Sequence, residues 1–531
     1  MATGKVIVSE QISDEGVALL MKSGLEVNFC PKISRDDLLK IIGEYDALIV
    51  RSVTKVDEEL YQHATNLKVV GRAGNGIDNI EMEGASRRGI IVANTPDANS
   101  VTTCEHTISL MLASNRNIPE ATNRIRAGKW GRDGLKGTEL EGKTLGIIGL
   151  GRIGSKVCVR MKAFGMKVIA YDPYITDERF HRFGAEKRET LADLMKECDF
   201  LTIHTPKTKE TMGMVGAEQF AIAKPGLHVV NCARGGLIDE QALYDAMEKG
   251  IVSTAAIDVL KDEPALTTPL LKNDKVVFTS HLGASTFEAQ TRVGISVAQE
   301  VVDMLDGKMV PNAVNLPTLG ETEMEGLFDY LKIGECLGNL YYAVSKDPVV
   351  ELKVTFCGEA ANFDKKTVNL SVLKGIYEPV MTGRVNYVNV GAIAEEEGIA
   401  VTTAENEGEM RFNNLIKVKV TGKNGTHTFA GMVTGENEVR INRIDHFFFD
   451  IKPTENMVFI VNEDKPGRIG EVGAVAGKLG LNIGAMQCAP DGNGNAMIIL
   501  SVDRELEANE LKQFSSIDGI NSARFVKMYN V

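Results

Sequence analysis

Short apolar runs rich in β-branched residues alternate with amphipathic stretches from the start of the chain. "KVIVS", "ALIVRS", "LKVVGRAG" and "GIIVANT" read as strands, and segments such as "SRDDLLKIIGEY" carry helical spacing between them. A second series opens at "KTLGIIGLG" (143–151) and runs through "KVIAYD", "FLTIHTP", "HVVNCARGG" and "STAAIDV" to "VVFTSHLG". This rhythm predicts an α/β protein with two doubly wound parallel sheets. Two longer helical segments, 98–116 and 285–307, flank the second series and are assigned as the crossings between the sheets. The first domain is then discontinuous, residues 1–97 and 289–315, around a second domain at 98–288.

After "PNAVNLPTLGETEMEG" (311–326), a linker marked by proline and acids, the pattern changes. "ELKVTF" and "IKVKVTGKNGTHTFAGMV" predict strands of an α+β domain over 316–453, with Asn424 and Gly425 turning a hairpin. From 454 to 531 the order is strand "NMVFIV", helix "RIGEVGAVAGKLG", strands "IGAMQCA" and "NAMIILSV", helix "ANELKQFSSI" and strand "SARFVKMY". That βαββαβ order is the ferredoxin-like layout of small ligand-sensing modules.

Composition narrows the function classes. A chain of 531 residues holds about three to five domains of ordinary size. The net charge of -13, with no Lys/Arg-rich run, argues against a nucleic-acid partner and makes any local cluster of arginines informative. The eight cysteines show no C-x-x-C and no Cys/His ligand spacing, which predicts reduced thiols and no metal site. "MATGKVIVSE" enters a strand without an apolar leader and no apolar run is long enough for a bilayer, so a soluble cytoplasmic protein with no membrane partner is expected.

"GLGRIG" supplies Gly149, Gly151 and Gly154 between a strand and the helix "SKVCVRMKAFG". In a Rossmann-type unit the first glycine allows the tight turn, the second lets backbone N–H groups approach a pyrophosphate, and the third permits helix–strand packing. Asp172, ending "KVIAYD", stands where it can accept hydrogen bonds from a ribose diol, and its charge repels a 2′-phosphate, so NAD is expected over NADP. Arg152 in the loop weakens that preference slightly. Thr205 and Pro206, ending the next strand, are placed on the adenine side.

Three polar residues follow the ends of later strands: Arg234 after "VVNCA", Glu263 in "VLKDEP" and His281 in "TSHLGAST". An imidazole held by a carboxylate is what oxidation of a secondary alcohol needs, the base taking the hydroxyl proton while the carbon gives hydride to a nicotinamide. Arg234 can pair with a carboxylate beside the reacting carbon. A 2-hydroxy acid is the expected substrate.

The set "GLGRIG", "YDP", "HTP", "NCARGGLIDE", "AIDV", "DEP" and "HLGAST" resembles the D-2-hydroxyacid dehydrogenases over about residues 1–317. "RSVTKV", "GRAGNGIDNI" and "NTPDANS" resemble their branch that oxidises 3-phosphoglycerate, and the extension resembles its four-domain form. The resemblance implies a flavodoxin-like substrate domain, a Rossmann-type NAD domain, an intervening allosteric-substrate-binding domain and a terminal ACT domain. It implies Arg234, Glu263 and His281 as the catalytic set, with Arg51, Arg72, Asn75 and Gly76 on the substrate. Asn75 stands where relatives often have threonine. Arg132, after the sole tryptophan, is implied to reach a neighbouring subunit's site in a homo-oligomer, a tetramer or a dimer. Arg152, Ile153, Cys232, Ala233, Asp258 and Gly283 are implied to join Arg234 and His281 at the cofactor. In the tail, Asn462, Asp464 and Asn482 can serve an amino-acid effector, implied to be L-serine, with the whole acting in serine biosynthesis. Two other functions stay open: a glycerate- or lactate-type dehydrogenase, and an NAD-sensing interaction protein of the corepressor kind.

Overall fold

The computed structural model describes residues 3–264, 266–308, 310–316, 326–405, 414–435 and 438–528. The linker expected at 311–326 therefore lies largely outside the described residues. The chain divides into two compact units, residues 1–56, 63–80 and 93–308 in one and 57–62, 81–92 and 309–531 in the other.

Five strands, β1 Lys5–Val8, β2 Glu26–Phe29, β3 Ala47–Val50, β4 Val69–Arg72 and β5 Ile91–Asn94, form a sheet in the order β2-β1-β3-β4-β5. The pairings from β2 to β4 are parallel. β3 is buried at every position, as a strand covered on both faces must be. Helix Phe287–Leu305 packs against helix Asp14–Lys22 and against β4. The crossing is close because glycines meet there: a Cβ on Gly16 would lie 2.5 Å from the Gly294 carbonyl oxygen, and one on Gly71 would lie 2.7 Å from Val301.

The second sheet has seven parallel strands: β6 Thr144–Ile148, β7 Lys167–Tyr171, β8 Glu186–Lys187, β9 Phe200–Ile203, β10 Leu227–Asn231, β11 Val252–Ile257 and β12 Val276–Phe278. Their order is β12-β11-β10-β9-β6-β7-β8, so the direction of winding reverses between β6 and β9. Ligands of open parallel sheets bind at the carboxyl ends of the strands beside such a reversal. Helix Ser100–Asn115 packs against helix Arg152–Ala163 and the strands β10 and β11.

In the other unit, β13 Val349–Cys357, β14 Ala400–Glu405, β15 Leu415–Gly422, β16 Thr426–Val433, β17 Val439–Ile444 and β18 Phe447–Ile451 form a mixed sheet in the order β14-β13-β15-β16-β17-β18. β15 and β16 make the expected hairpin, its turn fixed by Asp347, whose carboxylate accepts from Asn424 N and Nδ2. Helices Leu327–Asn339 and Lys365–Tyr377 pack together and enclose a charged cluster that no sequence motif foretold. Lys374 Nζ lies 2.9 Å from Glu335 Oε2 and 2.8 Å from Glu378 Oε2, and Tyr387 donates to Glu335 Oε1.

The last four strands, β19 Asn456–Glu463, β20 Ile483–Pro490, β21 Asn495–Val502 and β22 Ile520–Lys527, form an antiparallel sheet in the order β20-β21-β19-β22, with helices Arg468–Lys478 and Ala508–Ser515 completing the βαββαβ order. Period-two alternation along β19 splits its apolar residues. Val458 and Ile460 pack under the two helices with Val472 and Phe514, whereas Met457 and Phe459 join the core of the preceding domain with Leu337 and Cys336.

Candidate active site

Gly149 follows β6 with φ +87°, a conformation that favours glycine, and a Cβ there would lie 2.8 Å from the His204 carbonyl oxygen. A Cβ on Gly154 would lie 2.1 Å from Gly149 O, so helix Arg152–Ala163 can seat against the loop only with glycine. Gly151, the N-cap of that helix, differs: a Cβ would meet nothing within 4 Å. Its small size thus leaves open space before the first-turn N–H groups, which is the cradle a pyrophosphate needs. Ile153 is partly buried in the first turn.

Asp172 stands at the end of β7 with Oδ2 accepting from Leu150 N at 2.9 Å and Oδ1 from Tyr174 N at 3.1 Å. Those two amides aim the carboxylate along the loop, and its remaining lone pairs suit a ribose diol. Arg152 Nε lies 2.7 Å from Asp97 Oδ1, an exposed pair. Thr205 and Pro206 follow β9, the Pro206 carbonyl accepting from Thr211 Oγ1 at 2.7 Å. Glycine placement, helix N-terminus and carboxylate fit NAD.

Beyond β10, Asn231 shapes the turn by accepting from Ala233 N and donating to Arg234 O, both at 3.0 Å. Cys232 is buried, and burial pushes its thiol up to about 12, which makes it packing rather than chemistry. Ala233 O accepts from Arg234 Nη1 at 2.6 Å, and Asp78 Oδ2 accepts from Arg234 Nε at 3.0 Å. Among the described residues no hydrogen bond is found from Nη2, which lies against the Gly76 backbone.

The "GRAGNGID" loop is cut to fit two guanidinia. A Cβ on Gly74 would lie 1.8 Å from Arg72 Nη1, and one on Gly76 would lie 1.9 Å from Arg234 Nη2. Arg72 Nε is buried without a hydrogen-bond partner. Burial, and next the charge of Arg234, pull the Arg72 guanidinium down to about 10, while Asp78 and Glu10 oppose them and Arg51 adds to them. Arg51 lies after β3, its Nη1 donating to Gln11 O at 3.2 Å. The Asn75 carbonyl accepts from Asn94 Nδ2 at 2.6 Å.

Asp258, at the end of β11, is buried and saturated with donors. Its Oδ1 accepts from Thr279 Oγ1 at 2.6 Å and Leu282 N at 2.7 Å with His106 Nε2 at 3.2 Å, and its Oδ2 accepts from Gly283 N at 3.0 Å. Burial alone would raise this carboxyl, but the bonds from His106, Thr279 and Leu282 outweigh it and hold the group at about 2. Asp258 thereby fixes the loop that carries His281, whose φ of +58° is uncommon for a side chain with a Cβ. His281 Nδ1 lies 2.7 Å from Glu263 Oε2, and Glu263 Oε1 accepts from Leu260 N at 2.8 Å. Glu263 is raised by its burial and lowered by the bond to His281, with a net shift below the ordinary carboxylate range. It therefore stays ionised, and the imidazole Nε2 is the ring nitrogen left to meet a substrate.

Not every sequence-predicted residue joins this cluster. Arg132 lies in an exposed glycine-rich loop, and among the described residues no side-chain bond ties it to the cleft arginines within one chain. In the tail, Asn462 is buried with its Oδ1 unpartnered, whereas Asp464 and Asn482 are exposed, and among the described residues no hydrogen bond joins the three. Sequence reasoning missed Asp78, His106, Asn231 and Thr279. Asp78 and Asn231 were open to discovery, since both are polar and lie inside the quoted stretches "GRAGNGIDNI" and "NCARGGLIDE".

Residues 108–283 match the family described as D-isomer specific 2-hydroxyacid dehydrogenase, NAD binding domain, and residues 326–445 match the D-3-phosphoglycerate dehydrogenase intervening domain. The chain is 40% identical to a D-3-phosphoglycerate dehydrogenase of Archaeoglobus fulgidus over 99% of this chain and 100% of that one. It is 38% identical to the Bacillus subtilis enzyme of that name over 99% of both. A solved structure of cofactor (NAD+) bound 3-phosphoglycerate dehydrogenase from Entamoeba histolytica is 30% identical, with a TM-score of 0.51, over 60% of this chain and 100% of that one. Among the described residues no helix is long and apolar enough to cross a membrane. The fold, the NAD cradle and these likenesses together place the chain in the D-3-phosphoglycerate dehydrogenase family, an NAD-dependent branch of the 2-hydroxyacid dehydrogenases.

Proposed function

We propose that the chain oxidises D-3-phosphoglycerate to 3-phosphohydroxypyruvate, the first step of phosphorylated L-serine synthesis. The observation that carries this reading is the gathering of Arg234, Arg72 and Arg51 in one unit, with Arg72 Nε buried and unpartnered, in a chain that also sets His281 on Glu263. Guanidinia brought this close repel one another and call for an anionic ligand with more than one charged group, such as a carboxylate at one end and a phosphoryl group at the other.

NAD, when bound, supplies the hydride acceptor. Arg234 holds the substrate carboxylate through its Nη edge while Asp78 fixes the guanidinium plane through Nε. His281 takes the proton of the C2 hydroxyl on Nε2 as the C2 hydrogen departs with its electron pair, leaving a ketone. Glu263 stabilises the imidazolium so formed and returns the ring to the same orientation for the reverse reaction. Arg51 and Arg72 take the phosphoryl end.

The domain division at 1–97 with 289–315, 98–288, 316–453 and 454–531 belongs to this reading. So does a homo-oligomer, in which a neighbouring copy covers the exposed Trp130 and meets Arg132. Eight unpaired cysteines support a reducing compartment such as the cytoplasm. The unpartnered Oδ1 of Asn462 supports a polar effector such as L-serine in the tail, with Asp464 and Asn482 drawn in on binding.

Formation of NADH followed with D-3-phosphoglycerate, D-glycerate and D-lactate in parallel tests the substrate. The phosphorylated acid should have the highest kcat/KM by at least about tenfold, and Arg72→Ala should abolish that advantage. Equal use of the three acids would overturn the assignment.

A further inference from the structure

The loop that presents Arg51 is held from both sides. From one side comes Glu10, two residues after β1, whose Oε1 accepts from Arg51 N at 2.8 Å, Thr54 N at 2.9 Å and Val53 N at 3.2 Å, with Oε2 also 3.2 Å from Val53 N. From the other side comes Asn79, whose Nδ2 donates to Arg51 O at 3.0 Å and Thr54 O at 2.6 Å. One carboxylate thus collects the amides of the loop and one carboxamide collects its carbonyls. The Asn79 carbonyl extends the arrangement by accepting from Val56 N at 2.8 Å.

Two features make this more than an ordinary loop brace. A carboxylate beside arginines meant for an anion is electrostatically unhelpful unless its charge is already engaged, and here three N–H donors engage it. Asn79 also follows Asp78, which fixes Arg234. The backbone of residues 78 and 79 therefore ties the Arg51 loop to the guanidinium assigned to the substrate carboxylate, and sets the distance between the two anion-binding ends.

We infer that Glu10 and Asn79 form a two-sided clamp that positions Arg51, and that Glu10 is thereby a positioning residue for the preference of this site for phosphorylated over unphosphorylated 2-hydroxy acids. This rests on the substrate reading above. Glu10 touches neither the reacting carbon nor the cofactor cradle. Its loss releases Arg51 from a fixed position and leaves the chemistry of His281 in place. Glu10→Gln keeps the shape but removes the charge and turns a donor toward Val53 N, whereas Glu10→Ala frees all three amides.

The test compares the wild type, Glu10→Gln, Glu10→Ala, Asn79→Ala and the Glu10→Ala/Asn79→Ala double variant, each with D-3-phosphoglycerate and with D-glycerate. NADH binding by fluorescence and the thermal midpoint report on cofactor site and fold. KM for D-3-phosphoglycerate should rise about tenfold in Glu10→Ala and less in Glu10→Gln, with kcat within about threefold, while KM for D-glycerate and the NADH titration stay within about twofold. The double variant should lose little more than the worse single variant, since both release one loop. Equal loss for both substrates, or an unchanged KM in Glu10→Ala, would overturn the clamp. A wild type without preference for the phosphorylated acid would instead overturn the substrate reading. If Glu10→Ala is poorly folded, Glu10→Gln decides alone by its ratio of KM values.

Discussion

His281 and Glu263 are bound to each other across an interval of 18 residues, imidazole Nδ1 to carboxylate Oε2 at 2.7 Å, and each is fixed again through the loop beneath it. Leu260 N donates to the other oxygen of Glu263, and His281 N donates to Asp258 O at 2.9 Å. The ring is thus held by its partner, its own backbone and the end of β11. An imidazole held in this way is pre-oriented for the proton transfer proposed for it.

This pair should dominate turnover. His281→Ala should lower kcat by about 10²-fold or more, and Glu263→Gln by about tenfold or more, since glutamine keeps one acceptor but not the charge that stabilises the imidazolium. Steady-state rates and an NADH fluorescence titration together check this. Near-normal kcat in His281→Ala would remove the residue from the mechanism, and weakened NADH binding would point to a cofactor role instead.

Asp172 should set the choice of cofactor. Asp172→Ala removes the repulsion toward a 2′-phosphate and also the acceptor for Leu150 N, so NAD should bind about tenfold more weakly and its advantage over NADP should narrow. Kinetics with both cofactors measure the ratio, and an unchanged ratio would place the ribose elsewhere.

Asp258 yields a prediction about acid. Its folded carboxyl sits at about 2 against an ordinary 3.8, because the bonds from His106, Thr279 and Leu282 outweigh the burial that pushes it upward. A depressed folded value contributes stability that is complete above about pH 4 and is lost as the pH falls through about 2, an effect of about 2 kcal/mol. Asp258→Asn should therefore lower the unfolding free energy of the first unit by about that amount at pH 7, and the gap from wild type should shrink between pH 4 and pH 2. Denaturant titrations across that range follow it. A gap that stays constant with pH would mean that packing, not ionisation, carries the contribution.

The grouping of the proposed catalytic residues was legible because parallel sheets concentrate polar groups at strand ends. Arg234, Glu263 and His281 each follow an apolar run, so one topological rule gathers them without a distance being known. Glu10 also follows an apolar run and Asn79 lies inside "GRAGNGIDNI", yet neither could be given a role from the sequence. Their partners are backbone groups far along the chain, 41 residues away for Arg51 N from Glu10, and backbone donors leave no mark in a sequence. β14 was missed for a different reason: it is an edge strand exposed at nearly every position, so "AVTTAE" carries no alternation to detect. β8, of two residues, is too short for any pattern. The fate of the tail could have been read more fully. "NMVFIV" is apolar on both faces, and a strand with one face on its own helices and the other in water would have alternated.

That two-sided strand means that residues 454–531 cannot be removed without uncovering apolar surface. Met457, Phe459, Met497, Ile499, Val526 and Met528 share a continuous apolar core with Ile333, Leu337 and Phe356 of the preceding domain. Cutting the chain at 453 would strip that face from both partners and expose it to water. The truncated protein should bind a hydrophobic dye and lose its cooperative transition. Even if such a truncated chain no longer responded to serine, that would not by itself locate an effector site. A single substitution tests the coupling more gently. Phe459 is 1% exposed, and Phe459→Ala should lower stability by about 3–5 kcal/mol through lost burial and the cavity left behind. Because the core is shared, calorimetry should show the transition of the intervening domain and that of the tail falling together. A downshift confined to the tail, with the intervening domain unmoved, would show that the two fold as separate units.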